Sequence, residues 1–110
     1  RHYEEFAGAM ARRYPWLDSS LLLDYTRNYG TEIDTLLRDC ETAQDLGEYF
    51  GAGLYAREVA YLCRHEWARD IDDILWRRTK KGLNADEETV ARLQRWLVQE
   101  RASNEHGVPI

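Results

Sequence analysis

At 110 residues, 44% apolar and 32% charged, the chain has the length and composition of one globular domain rather than of a disordered tail. Its net charge of −5 argues against a nucleic-acid surface, which needs concentrated basic charge. No apolar run approaches the ~20 residues that span a bilayer, and no signal-peptide pattern opens the chain.

Apolar spacing is helical nearly throughout. Residues 3–14 place Phe6, Ala9, Met10 and Arg13 on one side of a first helix that stops before Pro15. Asp18 reads as the N-cap of a second helix, with Leu22, Tyr25 and Tyr29 in one stripe and Gly30 at its C-terminal stop. Thr31 is placed to cap a short third helix bearing Ile33, Leu36, Leu37 and Cys40. Residues 42–54, with Gly47, Gly51 and Gly53, break the pattern and read as one long irregular connection, with no strand.

A further helix is expected over residues 56–68, with Val59, Leu62, Cys63 and Trp67 apolar. Asp70 and Asp73 then resemble a capping pair that restarts the chain as a helix over 71–80, ended by Gly82. Acidic residues fall in its first turn and Arg77, Arg78, Lys80 and Lys81 in its last, the order favoured by the helix dipole. Asn84 with Glu87 suggests a capping box for a final helix to residue 102, with Val90, Leu93, Trp96 and Leu97 inward. The tail, 103–110, reads as frayed. The expected fold is all-α, a compact orthogonal bundle of five or six helices forming a single domain over residues 1–110.

Recognisable reactive constellations are missing. His65-Glu66 lacks the second His that a zinc-protease helix carries four residues on, where Arg69 stands. Asp70, Asp72 and Asp73 suggest a calcium loop, but Leu75 and Lys81 occupy its glycine and glutamate positions, so helix capping explains them better. Gly51-Ala52-Gly53 lacks the preceding strand and last glycine of a dinucleotide fingerprint and reads as a turn. His2, His65 and His106 are scattered. Cys40 and Cys63 read as core thiols of a reducing compartment, with a disulfide as the alternative. No catalytic, metal-binding or cofactor-binding residue is assigned.

One stretch departs from ordinary amphipathic helix. From Arg64 to Lys81, charged residues crowd around Trp67, Ile71, Ile74, Leu75 and Trp76. Asp73 and Arg77 stand as i, i+4 partners, and Glu66 is placed to reach Arg69. A plain reading is a solvated face with weak ion pairs. The sharper one is an interdomain docking surface formed by Glu66, Arg69, Asp73, Arg77 and Arg78, since arginine forks suit carboxylates and carbonyls. On that reading Arg77 pairs with Asp73 inside the helix, and Arg78 lies on the inward side, where it needs a buried or interface partner.

The pattern Glu58-Val59-x-Tyr61, Arg64-x-Glu66-x-Ala68-Arg69, then Asp72-Asp73-Ile74-Leu75-x-Arg77-Arg78-Thr79-Lys80-x-Gly82-Leu83 resembles the C-terminal domain of FAD-dependent glycerol-3-phosphate dehydrogenases. The likeness covers most of the chain, with its specific part in some 25 residues around this motif. Lys81, where the family commonly has an apolar residue, and Asp70, where it often has Thr, are departures. The missing calcium-binding pair of the animal mitochondrial enzymes points to the bacterial form, and Arg1 in place of Met points to a fragment.

The resemblance implies a parent flavoenzyme that oxidises sn-glycerol 3-phosphate to dihydroxyacetone phosphate. Hydride would pass to the flavin and the electrons to a membrane quinone, or to oxygen as in several kindred enzymes. The parent would be cytoplasmic, peripheral at the inner face of the membrane and without a transmembrane segment. It also implies that FAD is bound by the parent and not by this chain, whose partners are the FAD and substrate domains that it caps. The competing expectation is a stand-alone helical protein–protein interaction module.

Overall fold

The computed structural model describes residues 2–106. The chain is mostly helical, and it divides after Gly47 into two compact units.

In the first unit, α1 (His2–Arg13) packs against α2 (Ser19–Tyr29). The Asp18 carboxylate accepts from the backbone N–H groups of Ser20 and Leu21 at 3.0 and 3.2 Å, so the expected N-cap is in place. Gly30 closes α2 with φ of 54°. Thr31 does not cap the next helix. Residues Gly30–Glu32 form a 3-10 turn that runs straight into α3 (Ile33–Leu36), and no side-chain cap bond is made there. The stripe Leu22, Tyr25, Tyr29 is buried, as are Met10, Ile33, Leu36, Leu37 and Cys40. Burying each large apolar side chain contributes about 1.5–3 kcal/mol. At the end of α1, the Tyr14 hydroxyl donates to Asp34 Oδ1 at 2.5 Å, and Arg13 binds the other oxygen at 2.9 Å. Burial, then the bond to Asp34, pushes the Tyr14 phenol up to about 12.

The long irregular connection expected over 42–54 is in fact structured. Thr42 and Asp45 make a reciprocal capping box on the 3-10 turn Ala43–Leu46. In the second unit, β1 (Tyr49–Gly51) and β2 (Leu54–Tyr55) then pair as an antiparallel hairpin, correcting the expectation of no strand. Ala52 and Gly53, the two central residues of the turn, both have positive φ, as a tight type I′ turn requires. Tyr49 and Tyr55 face each other across the pair with ring centroids 4.8 Å apart. The signal was aromatic and apolar residues on either side of Gly51-Ala52-Gly53, but strands of three and two residues are too short to show alternation.

The hairpin leads directly into α4 (Ala56–His65), whose Val59, Tyr61 and Leu62 are buried along with the carboxylate-bearing Glu58. The helix stops short of the expected residue 68, and Trp67 turns outward instead of joining the core. The last helix, α5 (Glu87–His106), packs on β1, with Phe50 edge-on to Trp96 and Leu93 and Leu97 buried. Its cap is Asp86, which accepts from the Thr89 N–H at 2.9 Å, and not Asn84, which lies in the 3-10 turn Gly82–Asn84. That bond to Thr89 holds the Asp86 carboxyl below its usual range. The helix continues to His106, past the residue where a frayed tail was expected, and 107–110 lie outside the described residues.

Candidate functional site: the turn after α4

The charged stretch that stands out in the sequence begins where α4 ends. The N–H groups of Glu66 and Ala68 both fold back onto the Leu62 carbonyl at 3.0 Å. This reversal puts Trp67 at φ of 62°, the left-handed position that glycine usually takes after a helix. Ala68 drops into the core, while Trp67 stands 78% exposed. The restart is capped as expected. Asp70 Oδ1 accepts the Asp73 N–H at 2.8 Å, and Asp73 Oδ2 accepts the Arg69 N–H at 3.2 Å.

The segment beyond this cap is not an α-helix. Residues Asp73–Arg78 wind as a π-helix, closed by the Thr79 N–H on the Ile74 carbonyl at 2.9 Å. Thr79 Oγ1 donates to the same carbonyl at 2.8 Å and is buried, so the threonine locks the wide turn. Widening the turn changes which residues stack above one another, because i and i+5 become neighbours. The ion pairs follow that register. Arg78, and not Arg77, reaches Asp73 Oδ1, at 3.7 Å, and Arg78 also meets Glu66 Oε1 at 3.3 Å. The expected Asp73–Arg77 pair is therefore replaced by Asp73–Arg78, and Glu66 binds Arg78 instead of Arg69.

The five residues expected to form a docking surface thus fall into two groups. Glu66, Asp73 and Arg78 satisfy one another and brace the end of α4 against the π-helix. The guanidinium groups of Arg69 and Arg77 have no ion-pair partner among the described residues. They line a cleft of about 260 Å³ with Asp70, Asp72 and Asp73. Arg69 is held through its backbone, whose carbonyl accepts from Arg101 of α5. Trp76, on the exposed side of the π-helix, lies flat against Gly82: a Cβ there would sit 2.5–2.6 Å from ring atoms Cζ2 and Cδ2. A side chain at position 82 would therefore displace the half-exposed indole, a contact that the sequence pattern, which marks Gly82 only as a helix stop, does not show.

Groups that could carry chemistry are few, around this turn and elsewhere. Burial pushes the Cys63 thiol up, and both cysteines are free thiols. His65 stacks on Tyr61 at 4.9 Å. Among the described residues no cluster of three or more His, Cys, Asp or Glu side chains is placed to hold a metal ion. Nor does the glycine turn fit a flavin. It joins two antiparallel strands rather than a strand and a helix, and the space beside Gly51 is filled by Thr89, whose Cβ would lie 3.3 Å from an added methyl. No helix among the described residues is long and apolar enough to cross a membrane.

Residues 2–102 match the family model of the C-terminal domain of alpha-glycerophosphate oxidase. The chain belongs to this family. It is 50% identical over 97 residues to a glycerol-3-phosphate dehydrogenase of Pseudomonas aeruginosa and 47% identical over 98 residues to the aerobic glycerol-3-phosphate dehydrogenase of Escherichia coli K12. It is 36% identical over 95 residues to the D-erythritol 1-phosphate dehydrogenase of Brucella abortus. These matches cover 86–88% of the chain but 19% of each relative, so the chain spans about a fifth of the length of the curated relatives it matches. Within the family, the domain accompanies dehydrogenases named for two different polyol phosphates, which separates the helical fold from the choice of substrate.

Proposed function

We propose that this chain is the non-catalytic C-terminal cap of an FAD-dependent glycerol-3-phosphate dehydrogenase. The carrying observation is the match of residues 2–102 to a C-terminal domain family whose relatives are about five times longer. The polar groups of the motif agree with a structural part. Asp70, Asp73, Glu66, Arg78 and Thr79 are engaged in capping and bracing their own turn. None is left poised as a general acid, base or nucleophile. In the parent, FAD would accept hydride from C2 of sn-glycerol 3-phosphate and yield dihydroxyacetone phosphate, with quinone as the final acceptor. The residues that bind substrate and flavin lie outside this chain. The chain would pack against the flavin and substrate domains and keep them closed. The parent would be cytoplasmic and peripheral on the membrane.

The test compares the full-length polypeptide with the 110-residue chain. The full-length protein is expected to bind a yellow chromophore and to reduce a dye when given glycerol 3-phosphate. The chain alone is expected to give a helical circular dichroism spectrum with neither property. Turnover or bound flavin in the isolated chain would overturn the reading. Turnover by the full-length protein with erythritol 1-phosphate in place of glycerol 3-phosphate would overturn the substrate assignment alone.

A further inference from the structure

We propose that Trp76 and Leu83 form an apolar docking face for the catalytic portion of the same polypeptide. This rests on the reading of the chain as a cap domain. Both side chains rise from one turn. The Trp76 indole lies against Gly82, in space that a side chain there would occupy, and Leu83 follows Gly82 at about 3.8 Å along the backbone. Yet Trp76 is 52% exposed and Leu83 87%. A single exposed leucine is ordinary on a protein surface, but a leucine and a tryptophan raised from one turn call for a partner.

The turn that carries them is braced. Thr79 Oγ1 donates to the Ile74 carbonyl at 2.8 Å and accepts the Lys81 N–H at 3.3 Å. The Lys81 carbonyl in turn accepts the Asn84 N–H at 3.1 Å, which closes the 3-10 turn Gly82–Asn84 around Leu83. The apolar pair is thus held in a fixed place, and preorganisation of this kind lowers the entropy cost of docking.

The size of the face selects the occupant. Together the two side chains expose on the order of 250 Å². A stable complex between separate molecules buries about 800 Å² on each partner, so this face falls well short of holding a second copy. Within one polypeptide the linkage supplies a high effective concentration, and a small apolar face suffices. The curated relatives have the length for such a linked partner, since the chain spans 19% of each. Lipid fits less well. Interfacial binding draws on the long apolar face of an amphipathic helix, whereas Leu83 sits on a three-residue turn beside the π-helix that bears Trp76. What the face takes is therefore an apolar patch of the catalytic portion, which would exclude water from the indole and from Leu83.

Thiol labelling of the full-length protein tests the face. In the Leu83→Cys variant, maleimide is expected to react with the introduced thiol at least about tenfold more slowly in the native protein than in urea. Leu83→Asp is the second variant. It should lower the melting midpoint of the full-length protein by about 3 °C or more, whereas at an undocked site the same change would stay within about 1 °C. A native labelling rate close to the unfolded one, or an unchanged midpoint, would overturn the proposal. So would protection lost on dilution, which would assign the face to a second copy. Protection that arises only on adding phosphatidylglycerol vesicles would assign it to lipid and overturn the proposal as well. Dye reduction with glycerol 3-phosphate is measured in parallel. Turnover with a freely reacting thiol sinks the docking face alone, and protection without turnover sinks the dehydrogenase reading alone.

Discussion

Replacing Arg78 by Ala should destabilise the chain far more than replacing Arg77, although the two residues are neighbours of the same type. Arg78 is about one-third exposed and holds two carboxylates, Glu66 at 3.3 Å and Asp73 at 3.7 Å. Its loss leaves Asp73, whose side chain is only 14% exposed, with the Arg69 N–H and no cation among the described residues. Fully exposed pairs contribute about 0.2–1 kcal/mol, and breaking a fully buried one costs about 3–5 kcal/mol. Two contacts at intermediate burial should therefore be worth about 1–2 kcal/mol together. For a chain of this size that lowers the melting midpoint by about 5–10 °C. Arg77→Ala removes no ion pair among the described residues and should stay within about 0.5 kcal/mol. Thermal melts followed by far-ultraviolet circular dichroism decide the matter. Equal shifts, or a larger loss for Arg77→Ala, would refute the π-helical register from which the difference arises.

Two further outcomes are expected from the packing. Gly51→Ala combines a φ of 118° with an overlap of the new methyl on Thr89, and should cost about 2 kcal/mol or more in a urea titration; Thr89→Ala in the same chain should recover part of it by clearing the space, and no recovery would place the whole cost on the backbone. Tyr14, pushed up to about 12 from 10.0 by burial and its bond to Asp34, stabilises the folded state fully below pH 10 and loses that contribution as the pH rises from 10 to 12. Because the ring is only partly buried, the effect should fall well below the ~2.7 kcal/mol that two full units would represent. Tyr14→Phe should flatten the fall in urea midpoint over that range, and an unchanged slope would show that another group titrates there.

Much of the fold was legible because it follows from local chemistry. The stripe Leu22, Tyr25, Tyr29 and the run Ile33, Leu36, Leu37, Cys40 are buried as the helical period requires, and Asp18, Gly30 and Asp70 act at helix ends where capping residues are favoured. The misses lie where two local explanations compete. Gly51-Ala52-Gly53 satisfies a loop and a hairpin turn equally, and only the cross-strand pairing of Tyr49 with Tyr55 separates them. At the start of α5, Asn84 and Asp86 are both good caps; the 3-10 turn Gly82–Asn84 uses the first and leaves Asp86 for Thr89.

The turn from Glu66 to Thr79 shows a deeper limit. Its residues stand out in the sequence, but the pairings expected of them assume 3.6 residues per turn. The departure is set by Thr79, whose N–H and hydroxyl both bind the Ile74 carbonyl and hold the wider winding. Once that winding is granted, the rest is forced: Asp73 meets Arg78, Glu66 completes the pair, and Arg77 is turned into the cleft beside Arg69. One extra residue in a turn therefore exchanges the places of two adjacent arginines, making one a brace and leaving the other in the cleft. Thr79→Val keeps the shape but removes the hydroxyl bond, so it should weaken the lock on the π register. If the winding is what selects Arg78, the stability gap between Arg78→Ala and Arg77→Ala should narrow in the Thr79→Val background, and a gap of undiminished size would show that the register is held by the buried Ile74 and Leu75 instead.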